Sequence, residues 1–146
     1  MRFYLKKAAA EHCDLLFKWS NDKEVRENSF TKDAIKYDVH VRWFNDKLNS
    51  PNCDIFIFYL DNMPVGQARI DVENHEAVIS YSIDNNYRGR GLSTEMIGLL
   101  EKNVDTNVNK LIGYVKFSNV ISQRVFEKLG YTKELNNNYI KYSKII

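Results

Sequence analysis

Asn85-Asn86-Tyr87-Arg88-Gly89-Arg90-Gly91-Leu92-Ser93-Thr94 stands between an alternating stretch, Ala77 to Ile83, and a run with apolar residues at helical spacing, Leu92 to Val104. It reads as a strand, a tight basic glycine turn and a helix. Two glycines let the backbone come close to a ligand, and the helix that begins there offers unpaired N–H groups and the positive end of its dipole. A pyrophosphate fits such a place. Arg88 and Arg90 flank Gly89 and concentrate positive charge locally, whereas a net charge of +2 over 146 residues argues for neither nucleic acid nor a membrane as partner.

Downstream of this turn, Leu92, Met96, Leu99 and Leu100 form one helix stripe. Asp105 to Asn109 is a polar loop, Leu111 to Lys116 a strand, and Asn119 to Leu129 a helix that carries Ile121, Val125 and Leu129 on one side and ends at Gly130. Tyr131 to Leu135 and Tyr139 to Ile145 flank Asn136-Asn137-Asn138 and predict a closing hairpin. Upstream lie two strands: Cys53 to Leu60, apolar at nearly every position, and Val65 to Asp71. With Ala77 to Ile83 they predict an antiparallel meander. The N-terminal part predicts a strand from Arg2 to Leu5, a short helix from Glu11 to Trp19, a turn of helix or loop from Val25 to Phe30, and a helix from Lys36 to Leu48. A mixed α+β sheet with helices on its faces follows, in a single domain spanning 1–146.

Composition limits the function. An apolar fraction of 44% and a charged fraction of 27% are those of an ordinary soluble domain. Cys13 and Cys53 form no CxxC pair, so buried thiols in a reducing cytoplasm are expected and no metal site is. The N-terminus lacks a signal-peptide core, and Ile55 to Leu60 is far too short to span a bilayer.

A glycine pair between strand and helix has several readings. The nucleoside-triphosphate loop needs Gly-Lys-Ser/Thr, and the dinucleotide fingerprint needs a third glycine within a parallel unit; neither is present. Asn119-x-x-Ser122-x-x-x-Phe126-Glu127-Lys128-Leu129-Gly130-Tyr131 narrows the choice. Together with Tyr87 to Leu92 in this order and spacing, it resembles the GNAT superfamily of acetyl-CoA-dependent N-acetyltransferases over nearly the whole chain. The resemblance implies a mostly antiparallel sheet of about six to seven strands with helices on both faces. It also implies acetyl-CoA as co-substrate, direct attack by an amine with no acyl-enzyme, and leaves a homodimer open.

The family pattern Gln/Arg-x-x-Gly-x-Gly/Ala, set on Gly89 and Gly91, puts Asn86 at its first position, with Arg88 or Arg90 to compensate by charge-assisted bonds to phosphate. The resemblance then assigns Ile83 to backbone pairing with pantetheine. Arg88, Gly89, Arg90, Gly91, Ser93 and Thr94 go to the phosphates, and Asn119, Ser122 and Phe126 to the pantetheine arm. A backbone N–H of the Ile79 to Ser82 stretch would polarise the thioester carbonyl. Phe126 stands where many members carry the tyrosine that protonates the leaving thiolate; the thiol leaves readily as thiolate, and water, Tyr131, Tyr81 or Ser80 could supply the proton. By residue type the candidate bases are His40 and Glu76, ahead of His75, Asp71 and Glu27.

The acceptor side is Trp19-x-Asn21-Asp22-x-x-Val25-Arg26-x-x-Ser29, followed by Ile35 and His40-x-x-Trp43-Phe44. It resembles the branch that acetylates nucleotide-linked amino sugars, the pseudaminic-acid type included, and related patterns occur in branches acting on protein N-termini, polyamines and aminoglycosides. Trp19, Trp43, Tyr37 and Phe44 could stack on a base or sugar ring, and Arg26, Arg42 and Arg69 could meet a diphosphate. Each of these, taken singly, is equally a core aromatic or a surface arginine. A non-catalytic acetyl-CoA-binding module is the competing class that Phe126 invites.

Overall fold

Strand-forming runs rich in Ile, Phe, Val and Tyr alternate with amphipathic helices along the chain, and a computed structural model describes residues 2–146. The strands are β1 (Phe3–Lys7), β2 (Cys53–Leu60), β3 (Met63–Glu73), β4 (Glu76–Ile83), β5 (Lys110–Val115), β6 (Thr132–Leu135) and β7 (Ile140–Ile145). The helices are α1 (Cys13–Ser20), α2 (Lys23–Asn28), α3 (Tyr37–Leu48), α4 (Leu92–Glu101) and α5 (Val120–Lys128). The seven strands form one sheet in the order β1-β2-β3-β4-β5-β7-β6. Every neighbouring pair is antiparallel except β4 and β5.

The sheet's two faces bury different side chains because alternate residues point to opposite sides. Phe56, Phe58, Ala68, Ile70, Ala77, Ile79 and Ile83 share a core with Leu92, Met96, Ile97 and Leu100 of α4 and with Phe126 of α5. Ile55, Ile57 and Cys53 form the second core with Leu16 and Trp19 of α1 and Phe44 of α3. Gly66 allows β3 and β4 to close up beneath α4. A Cβ there would stand 2.8 Å from the Ser82 carbonyl oxygen and 2.9 Å from Ile83 Cδ1.

Several boundaries differ from the sequence expectation for local reasons. Helix α4 stops at Glu101 rather than Val104, because the Asn103 side chain and backbone N–H donate to the Leu99 and Leu100 carbonyls and terminate it. Val25 to Phe30 resolves into α2, capped by Asp22, whose carboxylate accepts from the Glu24 and Val25 N–H groups.

One feature of the sheet creates the site. Strands β4 and β5 are registered only over Glu76–Lys110, Ala77–Leu111 and Val78–Ile112. Beyond Val78 they part, and the edge of β4 from Ile79 to Ile83 faces a gap instead of a neighbouring strand.

Candidate active site

A cavity of about 620 Å3 occupies the gap between the parted strands, closed by the glycine turn at one end and by α2 and α5 at its sides. Its wall contains Ile83, Arg88, Gly89, Gly91, Ser93, Thr94, Asn119, Ser122 and Phe126, together with Ser80 and Tyr81. Arg90 does not line it; its guanidinium lies 5.2 Å from the centre of the Tyr87 ring.

The glycine turn opens a helix whose first amides face the cavity. Gly91 is the N-cap of α4 with φ +73°, a left-handed conformation that a glycine takes without strain. No side chain caps this helix, so the amides of its first turn, at Leu92, Ser93 and Thr94, remain available beside the cavity. With Gly91 at the cap, setting the pattern Gln/Arg-x-x-Gly-x-Gly/Ala two residues later puts Arg88 at its first position and Ser93, neither glycine nor alanine, at its last.

Each nitrogen of the Arg88 guanidinium has a partner within the protein. It donates to the Ile83 carbonyl (3.1 Å), the Asn85 side chain (3.2 Å) and Asp22 (2.7 Å), and its Nε lies 3.0 Å from Glu24. It therefore ties the glycine turn to α2. Burial pushes the Asp22 carboxyl up, but the Arg88 bond and the two α2 amides outweigh it and hold the group below the usual carboxylate range. Trp19 adds a second tie, donating its indole N–H to Asp84 at 2.8 Å. Asn21 completes the arrangement by bonding both the N–H and the carbonyl of Ile35. The Trp19-x-Asn21-Asp22 motif is thus a set of struts joining the N-terminal segment to the glycine-turn end of the cavity.

At the opposite wall, Asn119 caps α5 by accepting from the Ser122 N–H at 3.2 Å. The Ser122 hydroxyl is 2.7 Å from that of Tyr81. Burial pushes the Tyr81 phenol up to about 12, only partly opposed by the Ser122 bond, so Tyr81 stays protonated at neutral pH. Phe126 packs against Tyr81, Tyr131 and Tyr142 with ring centres 6.1, 4.9 and 5.4 Å away. The tip of the Phe126 ring points at Gly113 of β5, where a Cβ would lie only 2.4 Å from it. Tyr131, the other candidate donor, is buried in the core and lies outside the cavity wall.

The candidate bases are not brought together here. His40 is buried, with Nε2 2.9 Å from the Cys13 carbonyl and its ring among Phe17, Trp43 and Phe44. Glu76 opens β4 at the end remote from Ile83, opposite Glu73 and Lys110. His75, Asp71 and Glu27 are also absent from the wall. Among the described residues the wall holds no histidine and one carboxylate, Glu24, a residue that sequence reasoning passed over. The expected stacking aromatics are elsewhere too. Trp19 and Phe44 are buried in the second core, and Tyr37 donates to Asp14 on the surface. The cavity instead meets Phe30, Tyr87 and Tyr114; Phe30 and Tyr114 each pack edge-on against Tyr139. Tyr87 heads the glycine motif, but no alternation or motif marks Phe30 and Tyr114, which meet the cavity where β4 and β5 part.

Both thiols lie outside the cavity wall. Burial, with the nearby Asp71 carboxylate, pushes Cys53 up to about 11, and burial raises Cys13 as well, so neither is a ready nucleophile.

Comparison with known proteins agrees with this geometry. Residues 2–132 match the family model described as Acetyltransferase (GNAT) domain. No curated protein matches the chain by sequence. Among solved structures, similar folds include a ribosomal L7/L12 alpha-N-protein acetyltransferase in complex with coenzyme A, at 16% identity and a TM-score of 0.84, covering 99% of this chain and 94% of that one. An aminoglycoside acetyltransferase with coenzyme A and kanamycin superposes at 16% identity and a TM-score of 0.83, over 99% and 95% of the two chains. A spermidine N-acetyltransferase from Vibrio cholerae, with CoA and spermine, does so at 14% identity and a TM-score of 0.84, over 98% and 95%. A family match over most of the chain, on a seven-stranded sheet whose parted strands meet an uncapped glycine helix start, gives the assignment: the chain belongs to the GNAT acetyltransferase family and is an acetyl-CoA-dependent N-acetyltransferase.

Proposed function

We propose that the acceptor is a primary amine on a nucleotide-linked amino sugar, acetylated directly from acetyl-CoA. The observation that carries this reading is the charge of the acceptor side. Arg26 and Arg69 face the cavity there, and the one carboxylate of the wall, Glu24, is already paired with Arg88. A polyamine or an aminoglycoside is a polycation and calls for unpaired carboxylates; a sugar nucleotide brings a diphosphate.

In this reading the pyrophosphate of acetyl-CoA lies on the amides of Leu92, Ser93 and Thr94, and pantetheine runs along β4 past Ile83. The free edge of β4 at Ile79 to Ser82 supplies a backbone N–H to the thioester carbonyl as it gains negative charge. The neutral amine attacks that carbonyl, the tetrahedral intermediate collapses, and the CoA thiolate leaves. The Ser122 hydroxyl passes its proton to the thiolate and takes one in turn from the Tyr81 phenol 2.7 Å away, and solvent in the cavity returns a proton to Tyr81. The amine releases its own proton to water, since the wall holds no histidine. This role for Ser122 and Tyr81 takes the place of the tyrosine for which Phe126 is the substitute.

The test is turnover with acetyl-CoA and four acceptors: a UDP-linked 4-amino sugar, a peptide with a free N-terminus, spermidine and kanamycin. Thiol release and product mass should give the highest kcat/KM for the sugar nucleotide. Preference for spermidine or kanamycin would overturn the reading, and preference for the peptide would move the assignment to protein N-termini.

A further inference from the structure

Three arginines were candidates to meet an anionic acceptor, and their surroundings separate them. Arg42 is an exposed residue of α3, 3.9 Å from Asp38, and lies outside the cavity wall. Arg26 is spent on its own loop: Nη1 donates to the Thr31 and Asp33 carbonyls, Nη2 to Ser29. Its Nε is buried without a partner, sealed from the cavity as well as from water.

Arg69 differs. It rises from the middle of β3, opposite Ser80 of β4, with its guanidinium 5.0 Å from the centre of the Trp43 ring. Nε donates to Asp71 at 2.9 Å and Nη2 to the Ser80 hydroxyl at 3.2 Å, which fixes the plane of the group. A guanidinium has five N–H donors, so three remain for a ligand. The two serine hydroxyls beside it are polarised in the same sense. Ser80 accepts from Arg69, and Ser82 accepts from Gln67 at 3.1 Å, so each is left with its own proton to donate.

Charge is unbalanced in the same direction. Asp71 is the counter-ion of Arg69, but Lys47 also holds it at 2.6 Å. Burial raises the Asp71 carboxyl, and the two cations more than offset that, so it stays ionised. One carboxylate against two cations leaves a single positive charge, and the member of this trio that lines the cavity is Arg69. Across the cavity, the Asp22 and Glu24 carboxylates are balanced by Arg88, which pairs with both, and by Arg26, which lines the same wall on neutral partners, so no net negative charge there offsets Arg69.

We infer that Arg69, with the Ser80 and Ser82 hydroxyls, forms an anion subsite of the acceptor site, and that the natural acceptor carries a phosphate or carboxylate in addition to its amine. The inference deepens the proposed function and rests on the same cavity being the acceptor site, but it does not require that the anion belong to a nucleotide. Fixing the guanidinium in advance lowers the ordering cost of binding and makes the subsite selective for an oxyanion over a neutral group.

The experiment compares wild type with Arg69→Gln on matched amines: glucosamine against glucosamine 6-phosphate, and a neutral peptide N-terminus against one followed by acidic residues. A UDP-linked amino sugar is the third arm. Wild type should favour the anionic member of each pair by about tenfold or more, the value of one charge-assisted contact. Arg69→Gln should bring that ratio toward one, with acetyl-CoA binding as the check that the variant is folded. Equal turnover of both members by wild type, or an unchanged ratio in the variant, overturns the subsite. If the acidic peptide is favoured and the sugar nucleotide is not used, the sugar reading fails and the subsite stands. A second measurement does not depend on turnover. With CoA saturating its own site, glucosamine 6-phosphate or UDP titrated into the protein should shift the fluorescence of Trp43 beneath Arg69 saturably, and Arg69→Gln should abolish the shift. No saturable change in wild type overturns the inference.

Discussion

Phe126 carries two consequences that its neighbours decide. Its ring tip is directed at Gly113, so a phenol oxygen at that position would press into the β5 backbone. Phe126→Tyr is therefore expected to lose about 1–3 kcal/mol in urea unfolding through overpacking, with no gain in kcat. Gly113→Ala should cost a similar amount, for the same reason seen from the other side. The proton-donor role falls instead on a pair that the mechanism can test. Tyr81→Phe and Ser122→Ala should each lower kcat on the order of 100-fold while leaving the acetyl-CoA dissociation constant close to that of wild type. Retained kcat in both would remove them from the mechanism. At the glycine turn, Gly91→Val forces a β-branched residue to φ +73° at the start of α4. A Cβ at Gly91 meets nothing within 4 Å, so the effect should come from backbone strain and not from a clash. CoA affinity is expected to fall about tenfold or more by calorimetry.

At the scale of elements, α2 matters because only six residues form it and it has no buried residue of its own. Its position is maintained from outside, by Asp22 and Glu24 on Arg88 and by the neighbouring Trp19 on Asp84. The glycine turn and the α2 wall are consequently one mechanical unit. Arg88→Ala should release α2, with loss of about 1–3 kcal/mol from a partly buried charged hydrogen bond. Amide hydrogen exchange should accelerate across residues 23–28, and KM should rise for the acceptor as well as for acetyl-CoA. A rise confined to acetyl-CoA would show that Arg88 acts on the cofactor alone. Helix α4 behaves differently. Leu92, Met96, Ile97 and Leu100 are buried, so its exchange should remain slow in the same variant.

The whole molecule has a predictable response to acid. Asp22 and Asp71 both titrate below the ordinary carboxylate range in the folded state, against about 3.9 in the unfolded chain. A depressed folded pKa contributes stability that is complete above the unfolded value and disappears as pH falls through the folded one. Urea midpoints should accordingly be flat from about pH 7 to pH 5 and decline below about pH 4. Asp71→Asn should show a shallower decline than wild type. A parallel pH profile in the variant would mean that the Lys47–Asp71–Arg69 trio contributes nothing to acid sensitivity.

Local pattern was sufficient for much of this protein. The continuous apolar run of β2, the alternation of β4, the stripe of α4, Gly130 after α5 and the asparagine hairpin turn each follow from neighbours in sequence. The paired motifs at Arg88–Gly91 and Asn119–Tyr131 identified the family because they depend on short-range spacing. Tertiary structure decided the rest. The parting of β4 from β5 after Val78 exposes Glu24, Phe30, Gln67 and Tyr114 to one cavity although they are far apart in the chain. Packing between α1 and α3 buries His40, the Asp22 and Glu24 carboxylates hold Arg88 against α2, and Arg69 is left lining the cavity. Residue type allows a histidine to be a base or an arginine to meet a phosphate. Which of them has free donors facing open space depends on the partners that folding brings within hydrogen-bond distance, and those partners lie many residues away.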